Sequence, residues 1–545
     1  MLQRAPALTS LGRDAPSALD RAARAWEDAA YERCIELCAE GEPVAAGAAA
    51  LRLVRLHADA LHRLRRDDEA LALARRFTVP LGLPGHAFAA ATLGMAITAS
   101  GDPTTGLRIL AAAAERASSN AEREETIVLQ ALAAYENHRF AEVARLLEGI
   151  AASERIAYVR RLEIEGWMAF HRLDLTNART SFESALSRLT NVPHEKRLEL
   201  NILSALAEIA LETLDLGRWA PLQEHVQRLE PIPAALWFHS FWAHSFRAQA
   251  YDLNGHPNAA LREATLACER SASPPLRVFA LCNKALVFAH YDEPLAFRDA
   301  VQQIKAAYAA AAFEGVLHPT EMNVFQAVAE CFALAGDAGA AAGALEARSA
   351  QREAQTPWRD SEVVAALEDY CSGLVADARG DTLRARRAFA SALATFRRIG
   401  YHRYGLTVAQ RLAEIEPSRE LFVYIDRCAR VLGRGSWLRQ RFARTTEAHG
   451  QPVLAALSRA ERDVLHMLLE GKTTQEIARS RVRSEKTVRN TISALLKAFG
   501  VRTRQALLAE CVVRGIAGRD VVAHTAAPHD PRETAPAYGP ASDPR

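Results

Sequence analysis

The 545-residue sequence lacks any run near the length of about 18 uninterrupted apolar residues that a membrane-spanning helix needs. Its first residues also lack the basic, apolar and small-residue order of a secretory signal. These two absences predict a cytoplasmic protein without membrane contact. Hydrophobic residues nevertheless make up 49% of the chain, which is normal for a folded protein with a large core.

Cysteine is scarce, with eight residues spread over the whole chain, mostly within apolar helical patterns. This distribution favours small core residues over a disulfide framework. Cys34 and Cys38 share a helix face, but no further Cys or His stands near them to complete the four ligands of a structural zinc site. We therefore expect no metal.

Motifs of common catalytic and nucleotide-binding sites are also absent. The tripeptide Gly471-Lys472-Thr473 ends like a phosphate-binding loop, but no glycine stands five residues before Gly471. Neither a G-x-S-x-G elbow nor a Cys/His/Asn pattern occurs, and no strand-rich, acidic amino-terminal segment suggests a phosphate-receiving domain. The sequence predicts a non-enzyme without a cofactor.

Strand-like alternation is nearly absent, whereas apolar residues recur at spacings of three and four in an alanine-rich background. This pattern predicts an all-α body. Similar helices flank turn markers spaced by 43, 38, 81 and 44 residues, so one period of about 40 fits if the interval of 81 spans two repeats. The markers are Asp174, Gly217, Gly255, Gly336 and Gly380.

In each repeat a small residue before the turn faces a large apolar residue after it, and we expect Ala169 to meet Phe182 and Ala376 to meet Phe389. The arrangement resembles tetratricopeptide repeats, although its period exceeds the usual length of about 34 residues. A generic helical-repeat array is the alternative. The aromatic segment 237–246 has large side chains on both faces of its helix, which is typical of a helix buried on both sides.

Charge is distributed unevenly along the chain. Residues 458–517 carry 12 Lys/Arg against 6 Asp/Glu, and residues 418–457 carry 7 against 3, whereas the part before them is acidic. A basic end on an acidic body is typical of a module that binds a polyanion, although solvated charged faces are common on ordinary helices.

The basic end contains start and stop signals for four short helices. Ser458 with Glu461 and Thr473 with Glu476 have the spacing of capping boxes, so a first helix ends at Gly471 and a second stops near Arg481. Further signals predict a third helix between Ser484 and Gly500 and a fourth helix, begun by Thr503, over 506–513. The short gap between the second and third helices predicts a helix-turn-helix unit.

The runs LSRAERDVLHMLLEGKTTQEIA and SEKTVRNTISALLKAFGVRTR resemble the DNA-binding domain of the LuxR family, from Leu457 to about Ile516. The resemblance implies a transcription regulator whose third helix reads the major groove of DNA. By position it assigns base contacts to Arg489, Asn490 and Ser493. Glu485 is a further candidate, because a carboxylate can accept a hydrogen bond from cytosine N4.

Phosphate contacts require hydrogen-bond donors at helix N-termini and long cations at the flanks. For each candidate, a cap or a solvated cation is the alternative role. The candidates are Thr474, Ser484, Lys486, Thr487, Lys497, Arg502 and Arg504.

The turn between the second and third helices departs from the family pattern, since Val482 stands where glycine is usual. A β-branched residue disfavours the left-handed conformation of that glycine. We therefore expect a differently built turn, with Val482 buried and Arg483 pointing outward. Arg481 and Arg483 would then add to the positive surface.

Composition predicts five segments. They are a loose N-terminus (1–16), a tetratricopeptide-like repeat domain (17–416), a helical then basic linker (417–456), the LuxR-type domain (457–517) and a disordered tail (518–545).

Two functions fit this organisation. In the first, the repeat body senses an effector and controls a DNA-bound homodimer formed through the fourth helix. The effector is a peptide, a protein or a small molecule. In the second, the repeat body is a scaffold that recruits other proteins, and the small domain serves only as a DNA tether.

Overall fold

The computed structural model describes residues 17–42, 48–64, 66–76, 86–99, 102–153, 155–190, 192, 194–311, 313, 323–354, 362–445, 457–513 and 516. Within these residues every regular element is a helix, so the predicted all-α fold is confirmed. The chain divides into two compact units, Met1–Gly405 and Leu406–Arg545. The predicted loose N-terminus and disordered tail lie outside the described residues. No helix in the described part is long and apolar enough to cross a membrane.

The first unit is a series of helix pairs. Its helices are α1 (Ala18–Glu27), α2 (Tyr31–Gly41), α3 (Ala48–Arg63), α4 (Asp67–Arg76), α5 (His86–Ala99), α6 (Pro103–Glu115), α7 (Asn120–Glu136), α8 (Phe140–Leu147), α9 (Ile156–His171), α10 (Leu175–Leu189), α11 (Lys196–Glu212), α12 (Leu216–Arg228), α13 (Trp237–Asn254), α14 (Pro257–Arg270), α15 (Pro274–His290), α16 (Pro294–Ala310), α17 (Asn323–Leu334), α18 (Ala338–Ala354), α19 (Glu362–Ala378) and α20 (Thr382–Ile399). A short 3-10 turn, Ala234–Leu236, precedes α13.

Consecutive helices pack as ten hairpins in the described residues, from α1/α2 to α19/α20. The first helix of one hairpin also packs against the first helix of the next, as α1 does against α3, α3 against α5 and α5 against α7. Each hairpin therefore buries its apolar side against its neighbours, as repeat proteins do. The predicted tetratricopeptide-like helical repeat is confirmed.

The turn of the first hairpin and the turns from the fourth hairpin onward share one backbone geometry. A left-handed residue follows the first helix, and the next N–H donates to the carbonyl five residues earlier, as Asp174 N does to Ala169 O at 3.0 Å. This bond satisfies a carbonyl that the helix end leaves unpaired. From the fourth hairpin onward the left-handed residues are His138, Leu173, Leu214, Gly255, Asp292, Gly336 and Gly380.

Asp292 lies between Gly255 and Gly336, so the interval of 81 residues does span two repeats, as predicted. Two of the predicted turn markers are displaced. Gly217 lies inside α12, and Leu214 makes that turn. Asp174 is the N-cap of α10, where its side chain accepts from Asn177 N, while Leu173 takes the left-handed conformation.

Close approach within a hairpin depends on glycine. A Cβ added at Gly166 would lie 2.7 Å from the Phe182 ring, and one at Gly373 would lie 2.5 Å from the Phe389 ring. Gly94 approaches Leu110 in the same way, and each glycine precedes its partner by 16 residues. The predicted partners Ala169 and Ala376 are buried, but the closest approach belongs to the glycine one turn earlier. Three hairpins therefore share one packing register.

The aromatic segment 237–246 is core, as predicted. In α13 the side chains of Phe241, Trp242 and Phe246 are all buried, and the Trp242 ring stacks on Phe246 at 5.3 Å. Seven of the eight cysteines are buried and Cys268 is half-buried, in line with their predicted role as core residues.

The second unit follows α21 (His402–Ile415), which begins in the first unit. It contains α22 (Arg419–Ala429), a helical segment over 437–445, α23 (Arg459–Leu469), α24 (Thr474–Ser480), α25 (Glu485–Ala498) and α26 (Arg504–Val513). The segment predicted as a linker is therefore helical again over 437–445, with Trp437, Leu438 and Phe442 buried.

Candidate nucleic-acid interface

Helices α23 to α26 share one small core. Its buried residues are Leu457, Val464, Leu465, Leu468, Leu469, Ile477, Ala478, Val488, Leu495, Phe499, Val501, Leu507, Leu508 and Cys511. From α25 only Val488 and Leu495 are fully buried, so most of this helix lies outside the core. The core thus holds α25 by one side and leaves its opposite side free.

The predicted caps set the helix boundaries. Ser458 N donates to Glu461 Oε2 at 2.8 Å and Thr473 N donates to Glu476 Oε2 at 2.7 Å, while both hydroxyls accept from the backbone of the glutamate. Both capping boxes are therefore confirmed. Ser484 caps α25 by accepting from Thr487 N at 3.2 Å. The fourth helix begins at Arg504, two residues before the predicted start.

The outer face of α25 carries the predicted base contacts. Arg489, Asn490 and Ser493 are exposed, at positions i, i+1 and i+4 of the helix. Residues at this spacing lie along one side of a helix. The free side of α25 therefore presents a guanidinium, an amide and a hydroxyl, which are side chains that pair with base edges.

Glu485 holds Arg489 in the unbound protein. Arg489 Nη2 lies 2.9 Å from Glu485 Oε2, and the side chains are 70% and 42% exposed. A pair this exposed contributes about 0–1 kcal/mol. A bidentate contact with guanine favours the correct base over a wrong one by about 1–3 kcal/mol. Arg489 can therefore leave the carboxylate for a base at little cost.

The predicted phosphate contacts divide into two groups. Lys486, Lys497 and Arg502 are exposed cations. Ser484 and Thr487 are exposed but bonded to each other, with their hydroxyl oxygens 2.9 Å apart, and Thr474 is half-buried. Ser484 therefore has the capping role that was the alternative for it, and either hydroxyl of the Ser484–Thr487 pair can be the donor.

Arg504 is half-buried and donates from Nη2 to the carbonyl oxygen of Lys472 at 2.5 Å. Burial lowers the pKa of its guanidinium. The bond connects the start of α26 to the turn that precedes α24. Arg504 therefore positions α24, a role that the sequence alone did not reveal.

The expected rebuilding of the helix-turn-helix turn is wrong. Val482 is left-handed, with φ +50°, and its side chain is 90% exposed instead of buried. Arg483 N donates to Ala478 O at 3.0 Å, so the turn has the same geometry as the repeat hairpins. Arg483 points outward, as expected.

Arg481 does not join a free positive surface. Its Nη1 lies 2.9 Å from Asp463 Oδ2 and donates to Ala460 O at 3.4 Å, so it ties the end of α24 back to α23. Arg479, one turn before Arg483, is exposed at the end of α24. The cations exposed around the turn are therefore Arg479 and Arg483.

Three arginines of the basic flank before the domain are paired within the chain. Arg430 is bonded to Asp426, Arg441 lies 2.5 Å from Glu414, and Arg439 Nη1 donates to Leu432 O at 3.0 Å. Helix α22 packs against α26. Part of the surface of the fourth helix is therefore occupied by the same chain.

Comparison with known proteins decides the family. Residues 455–510 match the profile of bacterial regulatory proteins of the luxR family. The spore germination protein GerE of Bacillus subtilis (strain 168) is 42% identical over 59 residues, which are 11% of this chain and 80% of GerE. The chain belongs to the luxR family. Its luxR-type domain is a DNA-binding domain, and the chain is a transcription regulator.

The repeat body lies outside the luxR-family match. Among solved structures, a Rap protein complexed with competence and sporulation factor is 11% identical, with a TM-score of 0.37, and covers 68% of this chain and 97% of its own. The Cut9–Hcn1 hetero-tetramer of the APC/C is 13% identical, with a TM-score of 0.39, and covers 94% of this chain and 89% of its own.

Proposed function

We propose that the luxR-type domain recognises specific DNA sequences through α25. The observation that carries this proposal is the exposed series Arg489, Asn490 and Ser493 on the side of α25 that faces away from the core. By the geometry of bidentate pairing, Arg489 prefers guanine and Asn490 prefers adenine. Glu485 either accepts from cytosine or orients Arg489 through the existing ion pair.

We assign phosphate binding to the exposed cations Lys486, Lys497 and Arg502, and to Thr474, Ser484, Thr487 and Arg504 where their hydrogen-bond donors can turn to DNA. Cationic contacts give affinity that falls with salt but carry no sequence information. The clearest pair for comparison is Arg489 and Lys486, which are exposed within one turn of the same helix.

The test measures binding of the full chain to its own operator and to a scrambled duplex at several salt concentrations. Arg489→Ala removes discrimination worth about 1–3 kcal/mol at one base pair, whereas Lys486→Ala weakens binding to all sequences alike and lowers the salt slope by about one. Arg262→Ala removes an exposed arginine from the repeat body and serves as the control. Identical behaviour of Arg489→Ala and Lys486→Ala contradicts the assignment.

We further propose that the repeat body senses an effector in the cytoplasm and changes the affinity of the DNA-binding domain by binding, not by catalysis. Repeat proteins use the extended concave surface of their stacked repeats for binding. An effector that alters DNA affinity of the purified chain supports sensing. If transcription changes only with a protein partner while DNA affinity stays fixed, the body is a scaffold.

A homodimer on DNA is part of the proposal. Because α22 occupies part of α26, contact through the fourth helix uses its exposed side chains Gln505 and Ala509 or requires α22 to move. Light scattering of the chain on duplexes with one and two half-sites measures the stoichiometry. Two chains on the double site, reduced to one by Ala509→Arg, is the expected result.

A further inference from the structure

The first helices of the repeat body enclose a cavity. A hydrophobic cluster joins Tyr31 and its neighbours in α1 and α2 to Leu200 of α11 and Leu236, and the Tyr31 hydroxyl donates to Glu195 across 164 residues of sequence. The first hairpin therefore meets the sixth. The cavity of about 440 Å³ between them is lined chiefly by α1, α3, α5, α7, α9 and α11. This volume lies within the range of small-molecule sites, about 300–1,000 Å³.

One part of the cavity wall is apolar. It includes Trp26 of α1, Leu56 of α3, Met95 of α5, and Leu129 and Leu132 of α7. Ligand sites combine such a wall with a few polar groups that fix orientation. The apolar wall is suited to the hydrocarbon or aromatic part of a ligand.

The polar part of the wall carries guanidinium groups at one end. Arg63 Nε lies 3.4 Å and Arg160 Nη2 lies 3.3 Å from the oxygens of Glu195, and Arg197 is near the same carboxylate. Glu163, 3.0 Å from Arg160, adds one more negative charge. At this end of the cavity the lining therefore holds Arg63 and Arg160 beside Glu195, Glu163 and Asp59, and Arg197 adds a third guanidinium near Glu195.

Titration behaviour shows how these arginines act on Glu195 and on one another. Burial opposes ionisation of Glu195, yet Arg63, Arg197 and Arg160 lower the pKa of its carboxyl to about 2. Burial and repulsion by Arg63 lower the pKa of Arg197. An additional anion near these groups would relieve that repulsion.

Hydrogen bonding points the same way. Among the lining side chains, the buried polar atoms without a hydrogen-bond partner are Trp26 Nε1 and Arg63 Nε, and both are donors. Two other acids of the wall share one arginine: Arg55 lies between Asp59 and Glu125, at 3.7 and 2.9 Å. Arg63 Nε lies 3.4 Å from a Glu195 oxygen without hydrogen-bond geometry, and a buried donor left without an acceptor is destabilising.

We propose that this cavity binds a small amphipathic carboxylate, with its carboxylate held by Arg63 and Arg160 and its apolar part against Trp26, Leu56 and Leu129. The proposal rests on the proposed sensing function and names its site. Arg63 and Arg160 are 17% and 16% exposed, so their guanidinium groups remain partly accessible from the cavity.

The first test compares three probes of equal chain length by calorimetry on the full chain. Octanoate carries the proposed headgroup, octanol is neutral and octylamine is cationic. We expect one octanoate per chain, weaker binding of octanol by about tenfold or more, and no binding of octylamine. Octylamine binding as tightly as octanoate, or no octanoate binding in the millimolar range, overturns the proposal.

The second test locates the probe. Ala23→Phe places a ring in the cavity from α1 and should abolish octanoate binding, and Arg160→Lys should weaken it about tenfold because lysine lacks the guanidinium fork. Arg161→Lys is the matched control. Arg161 follows Arg160 in α9, but it pairs with Glu165 and not with the cavity groups. Unchanged binding in a folded Ala23→Phe variant overturns the assignment even if Arg160→Lys fails to fold.

DNA binding of the same preparations keeps the two proposals separate. Normal operator binding without octanoate binding overturns the cavity proposal and leaves the DNA-binding function intact. Octanoate binding that does not alter operator affinity supports the cavity site and overturns the proposed sensing.

Discussion

Replacement of Gly373 by alanine tests the packing register of the repeats. The added Cβ would lie 2.5 Å from both Cδ1 and Cε1 of Phe389, a ring that is fully buried. Overpacking of this kind costs about 1–3 kcal/mol. Alanine in a helix interior gains about 1 kcal/mol over glycine, so Gly373→Ala should destabilise the body by up to about 2 kcal/mol.

Gly343 provides the matched control in α18. It is exposed, and a Cβ added there meets nothing within 4 Å. Gly343→Ala should therefore stabilise the body by about 1 kcal/mol through helix propensity alone. Because both variants share that gain, the difference between them measures the cost of the contact with Phe389, about 1–3 kcal/mol.

The assay is urea unfolding of the full chain followed by circular dichroism, with the two midpoints compared. Gly373→Ala should shift the midpoint down and Gly343→Ala should shift it up. Adding Phe389→Leu to Gly373→Ala should cost less than the sum of the single changes, because the ring that the methyl group meets is gone. Equal upward shifts of both alanine variants would refute the 16-residue register.

Three further predictions concern other parts of the chain. Val482→Gly should raise the melting temperature of the second unit through about 1 kcal/mol of relieved left-handed strain, and an unchanged melting temperature would contradict the strain. Arg504→Met should destabilise the second unit by about 1–3 kcal/mol in urea unfolding, because it removes the bond to Lys472 O. If the variant also lowers the salt dependence of DNA binding, Arg504 contacts a phosphate as well. Glu195 has a lowered pKa, so its charge stabilises the folded chain at neutral pH, and this stabilisation is lost as pH falls from about 4.5 towards 2. The free energy of unfolding of Glu195→Gln should therefore change less with pH across that interval than that of the unchanged chain. Parallel pH profiles of the two proteins would contradict this prediction.

The helix boundaries of the DNA-binding domain were predictable because their causes are local. A cap involves side chains and backbone groups three residues apart, as in Ser458 with Glu461, so the sequence contains both partners. The repeat period was predictable for a similar reason, since each hairpin has its own turn. The boundaries of the five predicted segments stay a prediction, as do the base and phosphate contacts.

Features that depend on contacts between distant residues were not predictable. The Tyr31–Glu195 bond that closes the cavity joins residues 164 positions apart, and nothing near either residue announces it. Residue size predicts Ala169 as the partner of Phe182, whereas the closest approach to the ring belongs to Gly166, one helical turn earlier. The bond from Arg504 to Lys472 likewise joins residues far apart in sequence.

The error at Val482 has a more general cause. The expectation treated the left-handed conformation as an intrinsic preference of one residue, for which a β-branched side chain costs roughly 1–2 kcal/mol. In this chain Leu173 and Leu214 also adopt it, with the same bond from the following N–H to the carbonyl five residues earlier. Packing of two helices across a short turn imposes the conformation, and the residue at the turn bears the strain. A non-glycine residue between two well-capped helices therefore indicates a strained turn of ordinary geometry, not a different turn.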